Sequence, residues 1–278
     1  MKTAFVNGEF CNLADAKVSI FDRGFLFGDA VYEVLPIYHG QPFFVDKHIK
    51  RLNSNLEKIK IKITNFDWNI LINRLILENG GGDLQIYIHV TRGNQGVRKH
   101  DIPSNIHPSI IAFTLHNSFP TQEEKKKGLI AKILDDIRWQ RCDIKTTSLL
   151  ANILLNDEAI SSGYHTSILV RDGLITEGST SNVFVVNKEG IIKSPSLNHL
   201  CLPGVTRQIA IELMQQLEWD FNEAEISAEE LLSAHEVWIT STTKEIYPVI
   251  QIDNALINNG KPGEYWRTIN QLYQELVS

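Results

Sequence analysis

Thr166-Ser167-Ile168-Leu169-Val170-Arg171-Asp172-Gly173-Leu174-Ile175-Thr176-Glu177-Gly178-Ser179-Thr180-Ser181-Asn182-Val183-Phe184-Val185-Val186-Asn187 is the stretch that decides the fold. Residues 166–170 and 182–187 are rich in β-branched and aromatic side chains, which suit a pleated, half-buried surface. Arg171-Asp172-Gly173 supplies a hairpin turn, since Asp and Gly accept the positive φ that tight hairpins need. Strands that follow one another through hairpins argue for an α+β fold. A doubly wound parallel sheet would instead place a helix after every strand.

The same mixture continues on either side. Downstream come a turn at Lys188-Glu189-Gly190, a helix over 204–217, a capping box from Ser227 to Glu230, strands over 236–240 and 248–252, and a terminal helix over 265–276. Upstream lie a helix over 148–162, ended by Gly163, and a strand over 129–134. Before these, residues 118–128 carry Pro120 and Glu123-Glu124-Lys125-Lys126-Lys127 with no apolar periodicity. That stretch reads as a domain boundary, with a solvated turn inside one domain as the alternative. It divides the chain into a smaller N-terminal α+β domain, 1–119, and a larger C-terminal α+β domain, 120–278. The first half holds strands around Asn7-Gly8, over 18–21 and over 30–38, then a helix capped by Asp46 whose Ile49, Leu52, Leu56 and Ile59 share one face. A helix over 68–78 stops at Asn79-Gly80-Gly81-Gly82, and strands over 84–91 and 108–115 follow.

Composition narrows the partners. The 278 residues are 43% hydrophobic and 22% charged, an ordinary globular balance. Lys plus Arg is 27 against Asp plus Glu 33, and the net charge of −6 offers no basic field for nucleic acid. Cys11, Cys142 and Cys201 are widely spaced and form no C-x-x-C pair, which fits a reducing compartment and no metal site. No signal-peptide-like apolar stretch develops at the start, and the apolar runs fall short of the ~20 residues of a membrane span. A cytoplasmic protein without a membrane partner is expected.

Four polar clusters could carry chemistry. Lys145, in Asp143-Ile144-Lys145-Thr146-Thr147-Ser148, follows Arg138 and Arg141; cationic neighbours can lower a lysine pKa and make it an amine nucleophile. The same residues also read as a surface lysine beside a helix cap. Glu177-Gly178-Ser179-Thr180-Ser181-Asn182 can aim a carboxylate at a heteroatom or fold round an anion, or be a plain polar loop. Leu202-Pro203-Gly204-Val205-Thr206-Arg207 opens a helix whose free N–H groups suit a phosphate, or is a simple Pro-Gly start. Thr240-Ser241-Thr242-Thr243 can complete a phosphate cradle or cap a turn. Amine, carboxylate and two phosphate-type cradles are together what pyridoxal 5′-phosphate requires, for its aldehyde, its pyridine nitrogen and its phosphate.

The chain resembles the class IV, or fold type IV, pyridoxal-phosphate aminotransferases. The strings that carry the resemblance are Asp22-Arg23-Gly24, Phe27-Gly28-Asp29, Val31-Tyr32-Glu33-Val34, His48-Ile49-Lys50-Arg51-Leu52, Asp143-Ile144-Lys145, Glu177 to Asn182, Gly204-Val205-Thr206-Arg207 and Thr240 to Thr243. They occur in order over nearly the whole chain. Thr91-Arg92-Gly93, Arg98-Lys99-His100, Asp136-Ile137-Arg138-Trp139 and Arg141-Cys142-Asp143 are most similar to the D-amino-acid branch. Ala30, Thr180 and Leu202-Pro203-Gly204 depart from that branch, the last toward the branched-chain members.

The resemblance implies a two-domain fold with the cofactor in the interdomain cleft, and a homodimer. It implies that Lys145 is the Schiff-base lysine and moves the proton, and that Glu177 pairs with the pyridine nitrogen. Arg51, Val205, Thr206 and Thr242 would hold the phosphate with Thr180 and Ser181 nearby, and Leu202 would support the ring. Tyr32, Arg98 and His100 would bind the substrate carboxylate, the last two from a loop of the partner subunit or beside it. The implied reaction is D-alanine plus 2-oxoglutarate to pyruvate plus D-glutamate. A branched-chain L-aminotransferase, an aminodeoxychorismate lyase and a non-catalytic binder of a phosphorylated ligand are the alternatives.

Overall fold

Asn7 and Gly8 take φ of 49° and 102°, and the turn they form folds β1 (Thr3–Val6) back on β2 (Glu9–Asn12), as the Asn-Gly signal predicts. A computed structural model of the chain describes residues 2–278. It divides into two compact units, 2–118 with 144–149, and 119–143 with 150–278. These differ from a single division at 119/120 in the segment 144–149, which belongs with the first unit.

In the first unit, β1 and β2 are followed by α1 (Arg23–Phe27), β3 (Ala30–Tyr38), β4 (Gln41–Pro42), α2 (Val45–Lys58), α3 (Trp68–Glu78), β5 (Leu84–Thr91) and β6 (Ser109–Leu115). The six strands form one antiparallel sheet in the order β2-β1-β6-β5-β3-β4. The apolar faces of α2 and α3, with Leu52, Leu56, Leu71, Ile72 and Leu75, pack into one core with Val31, Leu35, Ile86 and Ile88. Two expectations are corrected here. Residues 18–21 form no strand; Val18, Ile20 and Phe21 are exposed and no neighbouring strand pairs with them. Asp46 lies in the first turn of α2 rather than at its cap, which is Phe44 in the left-handed region, and there its charge suits the helix dipole.

Segment 144–149 joins this unit because β4 pairs only with Ile37 and Tyr38 and leaves the start of β3 open. Tyr32 N donates to Lys145 O at 3.0 Å, Thr147 N to Ala30 O at 3.3 Å, and Thr146 Oγ1 to Ala30 O at 3.1 Å. Lys145 is thereby carried on the sheet edge, fixed in register with Tyr32.

The second unit runs α4 (Gln122–Lys127), β7 (Leu129–Asp135), α5 (Leu150–Ser161), β8 (Thr166–Arg171), β9 (Leu174–Gly178), β10 (Asn182–Val186), β11 (Ile192–Ser194), α6 (Val205–Gln216), β12 (Phe221–Glu223), α7 (Ala228–Leu232), β13 (Glu236–Ser241), β14 (Glu245–Ile252), β15 (Ala255–Leu256) and α8 (Glu264–Val277). Its nine-stranded sheet is ordered β12-β11-β10-β13-β14-β7-β8-β9, with β15 on β14. β7 pairs in parallel with both β8 and β14, and the hairpins are antiparallel. The result is a mixed sheet, as an α+β chain requires.

The polar stretch over 118–128 begins where the two units divide, and it contains α4, opened by a capping box between Thr121 and Glu124. Lys125 within it is fully buried, ion-paired with Glu245 and bonded to Asn270 Oδ1 at 3.0 Å. Gln274 Nε2 donates to the same Glu245 at 2.9 Å. Glu245 closes the turn after Ser241, so this buried pair anchors the Thr242 turn to α4 and α8. Removing one member of a buried pair strands the other charge. Lys125→Ala is expected to cost about 3–5 kcal/mol, read from the urea midpoint; an unchanged midpoint would contradict that role.

Candidate active site

The first unit supplies an amine and a carboxylate network. Alternation along β3 turns Tyr32 and Glu33 to opposite faces. Tyr32 is half-buried, stacks on Tyr87 with centroids 5.4 Å apart, and lies under Lys145, whose Nζ is 4.3 Å from the Tyr32 ring centroid. Glu33 is fully buried: Oε1 accepts from Arg51 Nε at 2.6 Å, while Oε2 lies 2.9 Å from both Arg51 Nη2 and His48 Nδ1. Against the burial penalty, Arg51 and His48 hold the Glu33 carboxyl well below the usual range. Burial holds His48 low despite Glu33, with the charges of Arg51 and Lys145 adding to the effect. Arg51, expected at a phosphate, thus commits one edge of its fork to Glu33.

Arg98 and His100 lie on the long loop between β5 and β6, and both are exposed. The Arg98 guanidinium sits 5.3 Å from the Phe27 ring centroid, and the His100 ring 5.2 Å from it.

The second unit builds a nest around Glu177, which is buried at the end of β9. Its Oε1 is paired with Arg138 Nη1; Oε2 accepts from Leu202 N at 3.0 Å and Asn182 Nδ2 at 3.2 Å. Arg138 is itself clamped by Asp136, with Nε to Oδ1 and Nη2 to Oδ2 both at 2.9 Å. Arg171 approaches Asp136 Oδ1 at 3.1 Å. Charges therefore alternate along Arg171, Asp136, Arg138 and Glu177. Burial pushes the Glu177 carboxyl up, to about 7, against the pull of Arg138 and the Leu202 amide. Burial likewise opposes ionisation of Asp136, but Arg138 holds its carboxyl low.

Around Asn182 the remaining residues gather. Asn182 pairs across the sheet with Thr240, donates to Leu202 O at 2.8 Å, and packs so closely on Gly204 that a Cβ there would stand 2.0 Å from its Oδ1. Gly204 begins α6 without any side-chain cap, and Val205 and Thr206 are buried in its first turn. The hydroxyls of Ser181 and Thr240 are buried with no partner. Thr242 is half-buried in the turn between β13 and β14, while Thr180 is exposed.

Sequence reasoning selected Lys145, Glu177 and the α6 start and cast Arg138 as a cationic neighbour of Lys145, whereas the structure pairs it with Asp136 and Glu177; it gave no role to Asp136, Asn182, Glu33 or His48. Arg138 and Asp136 stood in quoted motifs, and the signal available was their charge at the end of an apolar strand.

The residues present fit the expected cofactor. A buried carboxyl raised toward neutrality among donors suits a protonated ring nitrogen, unpartnered hydroxyls beside an uncapped helix start suit a phosphate, and an amine on a tyrosine face suits an aldehyde. Among the described residues no group of three or more His, Cys, Asp or Glu is placed to hold a metal ion, and no helix is long and apolar enough to cross a membrane.

Known proteins give the same outline. The family model described as amino-transferase class IV matches residues 30–252. The D-alanine aminotransferase of Bacillus licheniformis is 37% identical, covering 100% of this chain and 97% of its own length. That of Staphylococcus epidermidis is 36% identical, covering 100% and 98%. Among solved structures, the branched-chain amino acid aminotransferase of Escherichia coli superposes with a TM-score of 0.91 at 24% identity, covering 100% of this chain and 95% of that one; this is a likeness of fold.

Proposed function

Because the chain belongs to the class IV aminotransferases, we propose that it moves the amino group of D-alanine to 2-oxoglutarate, giving pyruvate and D-glutamate. The observation that carries the substrate class is that Arg98 and His100, two residues apart on one loop, are both set against the Phe27 ring, where they can offer charge and hydrogen bonds to a carboxylate. The full-length likeness to D-alanine aminotransferases supports the same reading.

Pyridoxal 5′-phosphate, the cofactor of this family, supplies an electron sink for the Cα of an amino acid when bound. In the proposed assignment Lys145 would hold the cofactor's aldehyde carbon, and its Nζ would take and return the substrate Cα proton. Glu177, steadied by Arg138, Asn182 and the Leu202 amide, would keep a proton on the ring nitrogen. Arg51, Val205, Thr206 and Thr242 would hold the phosphate, with Ser181 and Thr180 nearby, and Tyr32, Arg98 and His100 would fix the substrate carboxylate. Donor and acceptor use these groups in turn.

A second copy of the chain is the proposed partner. Ile20 and Phe25 are 66% and 70% exposed, and Val18, Phe21, Val97 and Ile102 are exposed with them. Gln95 N bonds to Phe21 O, which brings these two stretches together into an apolar patch of the kind that marks an interface. Three free cysteines, two of them buried, accord with the reducing cytoplasm as the proposed location.

Charge-assisted hydrogen bonds of the kind Arg98 would make contribute about 1.5–3 kcal/mol. Arg98→Ala is therefore expected to lower kcat/KM for D-alanine by about ten- to a hundredfold, alike for every D-donor because each presents the same carboxylate. An unchanged value would remove Arg98 from the site. A donor panel with 2-oxoglutarate tests the reading as a whole: D-alanine is expected to outpace L-leucine and L-valine, and the reverse order would install the branched-chain alternative.

A further inference from the structure

Residues 94–108 between β5 and β6 carry no regular helix or ladder strand. Loops of this length without structure of their own are commonly functional, and this one holds Arg98 and His100. One buried side chain organises it. Arg23 Nη1 donates to Gln95 Oε1 at 2.6 Å, to Lys99 O at 2.7 Å and to Asp101 O at 3.2 Å; Nη2 donates to His100 O at 3.2 Å; Nε donates to Asp29 Oδ2 at 2.8 Å. Three successive loop carbonyls therefore converge on a single planar fork, a geometry that only guanidinium offers.

The base of that fork is fixed independently. Asp22 caps α1 through Gly24 N at 2.8 Å and accepts from Thr91 Oγ1 and Ser109 Oγ, at the end of β5 and the start of β6. Arg23 N donates to Gly93 O at 2.9 Å. Asp29, the anchor of Arg23 Nε, is also gripped by Arg92 at 2.7 and 2.9 Å. With the backbone of 99–101 drawn inward to Arg23, the side chains of Arg98 and His100 are left on the outside against Phe27, whose ring also lies 4.9 Å from the Arg23 guanidinium.

We propose that Arg23 is the positioning residue of the carboxylate-binding loop, setting through three main-chain carbonyls the direction in which Arg98 and His100 meet the substrate. This rests on the reading of Arg98 and His100 as carboxylate binders. Arg23 touches no substrate itself. Its effect is on binding common to ground and transition state, so it is expressed in KM.

The test compares Arg23→Lys, Arg98→Ala and the double variant as holoenzymes. Lysine keeps the charge but cannot form the fork. Arg23→Lys is expected to raise KM for D-alanine and for 2-oxoglutarate about tenfold with kcat within about threefold, and to add only about threefold to KM when Arg98 is already alanine, because His100 alone is then left to position. An unchanged KM in Arg23→Lys, or full multiplication of the two effects, overturns the proposal while leaving the role of Arg98 intact. An unchanged KM in Arg98→Ala overturns the reading of the loop and the proposal with it. Should Arg23→Lys fail to fold, Gln95→Leu removes one acceptor without touching the guanidinium: a KM rise of about threefold or more at constant kcat supports the proposal, and no rise overturns it.

Discussion

Replacing Lys145 by alanine is expected to abolish transamination, a loss of about 10⁴-fold or more, while the fold stays intact. The fold survives because the bonds that seat this segment on β3 run through main-chain atoms of Tyr32, Lys145, Ala30 and Thr147, which alanine keeps. Lys145 is only half-buried, so truncation leaves no core cavity. Activity is expected to be lost, because the missing amine is the proposed attachment point and proton carrier, and positioned proton transfer alone contributes about 10²–10⁴-fold. The variant should unfold at the wild-type temperature, and borohydride treatment, which is expected in the wild type to fix the cofactor to the peptide containing Lys145, should fix none. Near-wild-type turnover without added amine would end the assignment.

Glu177→Gln is expected to leave the cofactor bound and to slow removal of the Cα proton by about 10²–10³-fold, the scale on which one preorganised electrostatic partner acts. The amide is nearly isosteric with the carboxyl, so Leu202 N and Asn182 keep their positions. It has no charge, so it cannot favour a proton on the ring nitrogen, and it leaves Arg138 answered by Asp136 alone. Single-turnover rates with D-alanine and Cα-deuterated D-alanine read this step, and an unchanged rate would take Glu177 out of the mechanism. A second readout needs no substrate. In the folded apoprotein the carboxyl is raised to about 7, whereas in an unfolded chain a glutamate titrates near about 4.3. The folded state keeps a proton that the unfolded state releases, so this group's stabilising contribution is full below about pH 4 and is lost as pH rises through about 7. That decline should be absent from Glu177→Gln.

Local chemistry was legible in the sequence where it acts over a few residues. The Asn7-Gly8 and Asp172-Gly173 hairpins, the apolar face of α2 and the glycine stop after α3 all follow from nearest-neighbour rules. α1 and α4 were not legible, being too short to show a helical period. Lys125 reads as one more surface charge in a basic run; its burial depends on Glu245 and Asn270, far along the chain. The site divides in the same way. Lys145 and Glu177 stood in recognisable strings, but the Arg138 that answers Glu177 and the Glu33 that holds Arg51 meet their partners only through the tertiary fold, and no local pattern encodes such a pairing. Arg23 stands in the string Asp22-Arg23-Gly24, but nothing local shows the loop carbonyls that surround it.

The most direct test of the account is the handedness of the product. The purified holoenzyme, incubated with D-alanine and 2-oxoglutarate, is predicted to yield pyruvate and glutamate in equal amounts, with the glutamate entirely of the D form on chiral analysis. L-glutamate, or pyruvate released without glutamate, would contradict it.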